Sequence, residues 1–430
     1  MLDTLLIAAL ALAITVVMIG EASILRAMLA GFGYLRRQGQ RGTIRHDANT
    51  ILKSPLVPSV SVIAAPPDAS EVSLRSVHDL AKLHYGDHEV LVVLDGPSES
   101  ELAVWIKEFQ LFPSSRGASG DIPTQAVTGV YESRGPFRLM IIEKEAGGLA
   151  DCLNVGLNVA GAQLVGVADP RSTVAPETLL RLVVPFLEQP DVTVAACTVV
   201  PSEGSTSFPA QLYALECTRL WLGRAAGLAA RDIALPPPGT FALIERSALR
   251  NAHGFAGGVF EMIFHLHAMY RARNARYHIA WLQRDLCSPI DPSNFRELWR
   301  ATVDDQRETS RTIRRHLPVL GSLSGLGRIA MPGLILTGLV RPLAETVGLI
   351  AGVVAVARGT VPWQMLGLLV VGSCVFGTLN SMTAVLLREA SIESRSGAGQ
   401  LFSLFFSAIP ENFGYRQIRN VWRLTSFLAR

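Results

Sequence analysis

The chain has 430 residues, of which 49% are hydrophobic and 17% charged, with a mean hydropathy of +0.32. Such values are high for a protein made only of water-bathed cores and point to segments in lipid. A formal net charge of +3, from 39 Lys+Arg against 36 Asp+Glu, excludes nucleic-acid binding driven by bulk charge and a long acidic tail.

In chain order, an apolar run from Thr4 to Gly20 continues past Glu21 to Leu35 and ends in Arg36, Arg37, Arg41 and Arg45. The positive charge follows the run instead of preceding it, the wrong polarity for a cleaved leader. Residues 1–35 are therefore expected to be a retained anchor with its N-terminus outside, and 36–54 a basic cytoplasmic linker. From 55 to 315 the composition is that of a globular α/β domain. Val60–Ala64, Glu89–Leu94, Arg138–Ile142, Gln163–Ala168 and Val192–Cys197 read as buried strands of a parallel sheet. Helices are expected at 71–83, 149–159 and 176–188, the last opening on proline and glutamate. The pattern predicts a doubly wound, mostly parallel sheet, whose ligands would lie beyond the carboxyl ends of the strands. No GxGxxG follows the first strand, which leads into APPDAS, so a dinucleotide-binding dehydrogenase is disfavoured. The five cysteines lie far apart with no CxxC pair, and buried thiols are expected.

Residues 320–430 read as a membrane block. An interfacial helix over 328–342 leads into a span at 344–357, and a second span covers 365–387 between Trp363 and Arg388. LFSLFFSAIP is about half a spanning length. The tail after it carries four arginines interleaved with aromatics, as in an amphipathic interfacial helix, with a fourth irregular span as the alternative.

SVSVIA, GGLADCLNVGL, PETLLRLVVPFLEQPDV and ENFGYRQ, in this order and spacing, resemble the membrane-bound family-2 glycosyltransferases, the cellulose-synthase-like and poly-N-acetylglucosamine-synthase-like group. The resemblance spans nearly the whole chain. It implies a GT-A-like cytoplasmic domain on a bacterial inner membrane that binds a nucleotide-diphosphate sugar, with magnesium or manganese expected of the family. Carried over position by position, it places Asp95 alone where the family has an Asp-Asp pair; the alternative is a turn with Gly96 and Pro97. Asp169-Pro170-Arg171 stands at the family's DxD, so only Asp169 remains as a metal carboxylate and Arg171 would repel a divalent ion. Asp151 and Asn154 persist after Gly147-Gly148, whereas Leu149 replaces a lysine; ordinary helix chemistry explains these equally. Gly239, Thr240 and Phe241 keep the acceptor-loop pattern, which a turn before a strand also explains. Glu261 occupies the general-base position, or is a first-turn glutamate favoured by the helix dipole. With His265 it has the i, i+4 spacing of two metal ligands, too few for a site. The Arg-Trp clamp is missing: its positions hold Ala301, Asp304 and Asp305, or Thr309 and Ser310. Arg307 and Arg311 form a lone RxxxR with no room for a cyclic-dinucleotide-binding barrel.

Three functions follow from this pattern. The chain is a degenerate, non-catalytic or weakly catalytic glycosyltransferase-like protein beside an active partner in cell-surface polysaccharide synthesis. Alternatively, it is a metal-independent transferase with Glu261 as base and Arg171 as counter-charge to the diphosphate. In the third reading it is a membrane interaction platform unrelated to glycans.

Overall fold

The computed structural model describes residues 2–40, 57–117, 120–135, 137–169, 172–199, 207–219, 224–236, 240–289, 291–391 and 398–426. The chain forms two compact units: one of residues 42–200 and 235–290, the other of 1–41, 201–234 and 291–430. Most of the basic linker, together with Arg171 and Gly239, lies outside the described residues.

The first unit is built on one ten-stranded sheet in the order β3-β4-β5-β2-β1-β6-β9-β8-β10-β7. Its strands are β1 Val60–Ala64, β2 His88–Asp95, β3 Leu111–Pro113, β4 Val127–Ser133, β5 Leu139–Lys144, β6 Leu164–Ala168, β7 Ser172–Val174, β8 Val192–Val199, β9 Ala242–Glu245 and β10 His278–Pro289. The central four, β5-β2-β1-β6, run parallel. Covered on both faces, β1 and β6 are buried at every residue, which is why their sequences read as unbroken apolar runs. β9 enters antiparallel between β6 and β8. The chain leaves β1 for β2 on one side and later places β6 on the other, so strand order reverses beside β1. In open α/β sheets this is where ligands bind.

Helices between strands begin where the sequence supplies caps. For Glu71–Ala81 the Ser70 side chain accepts from the Ser73 amide. For Glu99–Phe109, Ser98 and Glu101 form a reciprocal capping box. Leu149–Val159, here α4, starts at Gly148 with φ +86° and no side-chain cap of its own. The helix Val259–Ala272, α9, follows a turn in which Gly254 has φ +84°.

Among the described residues of the second unit, three helices are long and apolar enough to cross a membrane: Leu2–Tyr34, Leu326–Ala357 and Trp363–Leu387. The stretch expected as a separate interfacial helix is continuous with the second of these. It contains two wide π turns, Leu326–Ala330 and Leu336–Val340, next to Pro332 and Pro342, whose missing N–H groups interrupt the helical ladder. Small residues allow close approach: a methyl at Gly348 would lie 2.2 Å from the Ala13 Cβ. The helices Phe208–Cys217 and Arg224–Ala229 also belong to this unit, although they fall inside the 55–315 segment of the sequence. Gly227 packs on the first span, where an added Cβ would meet the Ala27 carbonyl oxygen at 2.3 Å.

A connected set of buried ions joins these helices. Glu21, in the first span, pairs with Arg341 and lies 2.7 Å from Arg416 Nη1. Arg416 also reaches Glu345 at 3.2 Å, and Glu345 accepts from Ser373 at 2.9 Å and Asn420 at 3.0 Å. Glu411 lies 2.7 Å from Arg219 Nη1 and accepts from Ser381 at 2.7 Å, while Glu216 holds Arg419 at 2.7 Å and Arg423 at 3.0 Å. The tail helix Arg416–Thr425 is thus amphipathic with its charged positions turned inward, where Arg416, Arg419 and Asn420 are buried. Removing one member of a buried pair strands the other and costs about 3–5 kcal/mol. Glu21→Ala is therefore expected to lower the unfolding temperature of detergent-purified protein sharply, whereas Ile19→Ala, at an exposed position of the same helix, should leave it within a few degrees.

Candidate functional site

The carboxyl ends of β1, β2 and β6 lie along the same edge of the sheet, and Asp95 is the last residue of β2. Its carboxylate accepts three hydrogen bonds from within the chain: Oδ1 from Lys144 Nζ at 2.6 Å and the Gly147 amide at 2.8 Å, Oδ2 from the Gly148 amide at 2.9 Å. Those two amides lie at the start of α4, where the helix itself offers them no acceptor. Asp95 therefore caps α4 from a neighbouring strand and places its negative charge at the positive end of the helix. Such a glycine-rich helix start is a ready anion site, and here the protein's own carboxylate fills it.

Lys144 ends β5 and its side chain is 0% exposed, with Nζ also 2.8 Å from Asp151 Oδ2. One ammonium thus serves two of the predicted site carboxylates, and Asp151 additionally accepts from the Gln125 amide at 3.1 Å. Burial raises the Asp95 pKa, but Lys144 and the Gly147 and Gly148 amides outweigh it and hold the carboxyl below its ordinary range. Burial likewise depresses Lys144, and the bonds to Asp151 and Asp95 outweigh that, leaving it above the ordinary lysine value. The sequence reading passed over Lys144. Its signal is a lysine, one of only four in the chain, two residues after the buried apolar run Leu139–Ile142.

Asn154 and Asn158, one turn apart on α4, each bracket a peptide of another loop. Asn154 donates to the Phe255 carbonyl at 3.0 Å and accepts from the Phe255 amide at 2.7 Å; Asn158 makes the same pair of bonds to Ile122 at 2.8 and 3.1 Å. The Asn154 bracket fixes the turn that leads into α9. Gly254 is required beside it, since a Cβ there would lie 2.4 Å from Asn154 Oδ1. Glu261, in the first turn of α9, is 4% exposed, and its carboxylate folds back over Gly257, where a Cβ would meet Oε2 at 1.8 Å.

Asp169 follows β6, and its main-chain carbonyl accepts from the Ser172 amide at 3.0 Å and hydroxyl at 2.7 Å. Its neighbours Pro170 and Arg171 lie outside the described residues. Thr240 and Phe241 are both buried, with Phe241 at 0% exposure against Gly166 of β6 and its carbonyl accepting from the Cys197 amide at 3.2 Å. Leu149, in the family's lysine position, is exposed. The structure therefore brings together Asp95, Asp151 and the unpredicted Lys144 around the α4 start, and sets Asn154 as an anchor under the approach to Glu261. Among the described residues no three His, Cys, Asp or Glu side chains form a group able to hold a metal ion.

A mostly parallel sheet of this order, with acidic residues at the switch point, defines a GT-A-like fold. The model of the family described as "Glycosyltransferase like family 2" matches residues 58–307, and the chain belongs to that family. Among solved structures it is similar to the mannosyltransferase PcManGT from Pyrobaculum calidifontis in complex with GDP-Man and Mn2+, with 17% identity and a TM-score of 0.53 over 92% of this chain and 99% of that one. It is also similar, at 12% identity and a TM-score of 0.35 over 84% and 92% of the two chains, to residues 1–349 of S. aureus TarS in complex with UDP-GlcNAc. No curated protein sequence matches the chain.

Two predictions follow from the geometry. Stability from the lowered Asp95 pKa is present above the ordinary aspartate range and lost as pH falls through the folded value; that from the raised Lys144 pKa is present below the ordinary lysine range and lost as pH rises through its folded value. Lys144→Met leaves two carboxylates facing each other and should lower thermal stability most near neutral pH, with the gap to the parent chain narrowing as the pH falls and the carboxylates take up protons. Asn154→Ala leaves both polar groups of Phe255 unpaired and should destabilise by about 2 kcal/mol or more in thermal or denaturant unfolding, with Asn154→Asp retaining part through the acceptor bond.

Proposed function

We propose that this chain is a degenerate family-2 glycosyltransferase, non-catalytic or weakly catalytic, which serves a membrane-bound, cell-surface polysaccharide synthesis apparatus beside an active transferase. The observation that supports this reading most is the α4 start. Where a donor diphosphate or its metal would need open amides and free carboxylates, Asp95 and Asp151 share the Lys144 ammonium and Asp95 occupies the amides. The donor set does not fit a divalent ion. The position two after Asp169 is an arginine in the sequence, and the described acids form no group of three. No transfer step is therefore routed through a metal. Burial of Glu261, Thr240 and Phe241 further supports roles in shaping the loop rather than in touching a sugar.

A second reading is favoured by one feature. Glu261 is a carboxylate at the base position on a well-formed helix start, and Arg171 follows β6 in sequence. A metal-independent transferase would use Arg171 to offset charge on the leaving diphosphate and Glu261 to accept the proton of the acceptor hydroxyl. The arginines after the first span support placement of the N-terminus outside and the α/β domain in the cytoplasm of a bacterial inner membrane. The membrane itself, a nucleotide-diphosphate sugar and other polysaccharide-assembly proteins are the partners this scheme implies.

Binding of UDP- and GDP-sugars by the purified full chain, followed calorimetrically, separates the readings. The degenerate reading expects no transfer to any lipid or glycan acceptor, and expects Glu261→Gln to leave host glycan output unchanged while deletion of the chain abolishes it. Metal-independent binding lost in Arg171→Asp, with turnover falling 10²-fold or more in Glu261→Gln, would overturn it in favour of the second reading.

A further inference from the structure

The turn that leads into the Leu326–Ala357 helix holds apolar side chains outward. Leu317, Leu320 and Leu323 are exposed, Leu323 at 79%, and so is Ile329 in the first turns of the helix. The turn is well built. Leu317–Gly321 forms a 3-10 helix, the Ser322 amide donates to the Val319 carbonyl at 2.9 Å, and Ser322 bonds Ser324 at 2.8 Å. Gly327 packs directly beneath it, since a Cβ there would lie 2.3 Å from the Val319 oxygen and 2.6 Å from that of Ser322. A leucine left in water forgoes about 1.5–3 kcal/mol of burial, so three fixed outward on one short turn need an apolar medium.

The charge around the turn indicates which medium. Between Glu308 and Arg341 the sequence holds four arginines and no acidic residue. Arg311 and Arg314, before the turn, and Arg328, after it, are exposed. Leucines framed by guanidinium groups, at the start of a helix long enough to cross a bilayer, match the boundary between acyl chains and anionic headgroups. We propose that residues 311–329 form a lipid-docking surface, in which Leu320 and Leu323 enter the acyl boundary while Arg311, Arg314 and Arg328 bind the phosphates of anionic lipids. This surface does not depend on whether the α/β domain transfers a sugar.

A nitroxide at Leu323→Cys in the full chain, reconstituted in vesicles of phosphatidylglycerol and phosphatidylethanolamine, tests insertion; the native cysteines are buried and leave position 323 as the labelled thiol. The ratio of collisions with oxygen to those with a water-soluble nickel complex is expected to be several-fold higher than for a label at Glu99→Cys, an exposed position of the α/β domain. In a second arm, the R311Q/R314Q/R328Q variant should lose at least about fivefold in enrichment of phosphatidylglycerol over phosphatidylcholine among co-purified lipids, the equivalent of one arginine near an anionic surface. The proposal is overturned if the label at 323 meets the nickel complex as freely as the label at 99. Shielding from both reagents, as under a covering protein, or unchanged lipid enrichment in the variant would equally overturn it.

Discussion

A buried carboxylate must find a cation or several donors, and that requirement governs both units of this protein. In the unit that holds the three long apolar helices, Glu21, Glu216, Glu345 and Glu411 each meet an arginine, and Arg416 is shared by Glu21 and Glu345. Ionised groups at membrane depth are expensive, and a helix carrying one is committed to the partner that neutralises it. This explains why the tail helix has its arginines inside and why Phe208–Cys217, which carries Glu216, belongs with the spans. The nonhelical kink at Phe413–Gly414 lies between Asn412 and Arg416, and Glu411, Asn412 and Arg416 all stay buried, with Arg416 Nη1 3.5 Å from Asn412 Oδ1.

In the α/β unit the same rule has a functional consequence. Lys144 is an internal cation between Asp95 and Asp151, and Asp95 is in turn the cap of α4. Acids and amides that a transferase would present to a charged donor are here used to close the molecule's own polar groups. The asparagines of α4 act similarly, converting a helix face into two loop anchors. Family membership and the GT-A-like sheet establish what the shell is descended from, while function rests on the site it carries.

Much of the fold was legible because parallel, doubly covered strands are apolar throughout. Val60–Ala64 and the helix Leu149–Val159 stand where the hydrophobic pattern put them, and the other four expected strands shift by only a residue or two at their ends, whereas β3, β4, β7, β9 and β10 were not foreseen. The spans were equally plain from run length. Long-range pairing was not legible. Glu21 read as an interruption in an apolar run because its partners Arg341 and Arg416 lie hundreds of residues away. The tail read as interfacial since periodicity reports that a helix has two faces but not which one turns inward. Asp95 and Asn154 were found as polar residues in the right places. Their use as cap and anchor depends on Lys144, Gly147, Gly148 and Phe255, which only the folded chain brings to them. Phe241 shows the same limit, a pattern match whose side chain lies wholly within the core.

The central claim is that Asp95 and Asp151 are committed to Lys144 and the α4 amides, from which we propose that the α/β unit takes up no catalytic metal. Titration of the purified full chain with Mn2+, read by the electron paramagnetic resonance signal of free ion with and without a saturating nucleotide-diphosphate sugar, tests it most directly. The account predicts that the free-ion signal tracks that of a protein-free control containing the same nucleotide sugar. Saturable uptake of about one Mn2+ per chain beyond that control, lost in Asp169→Asn, would contradict it.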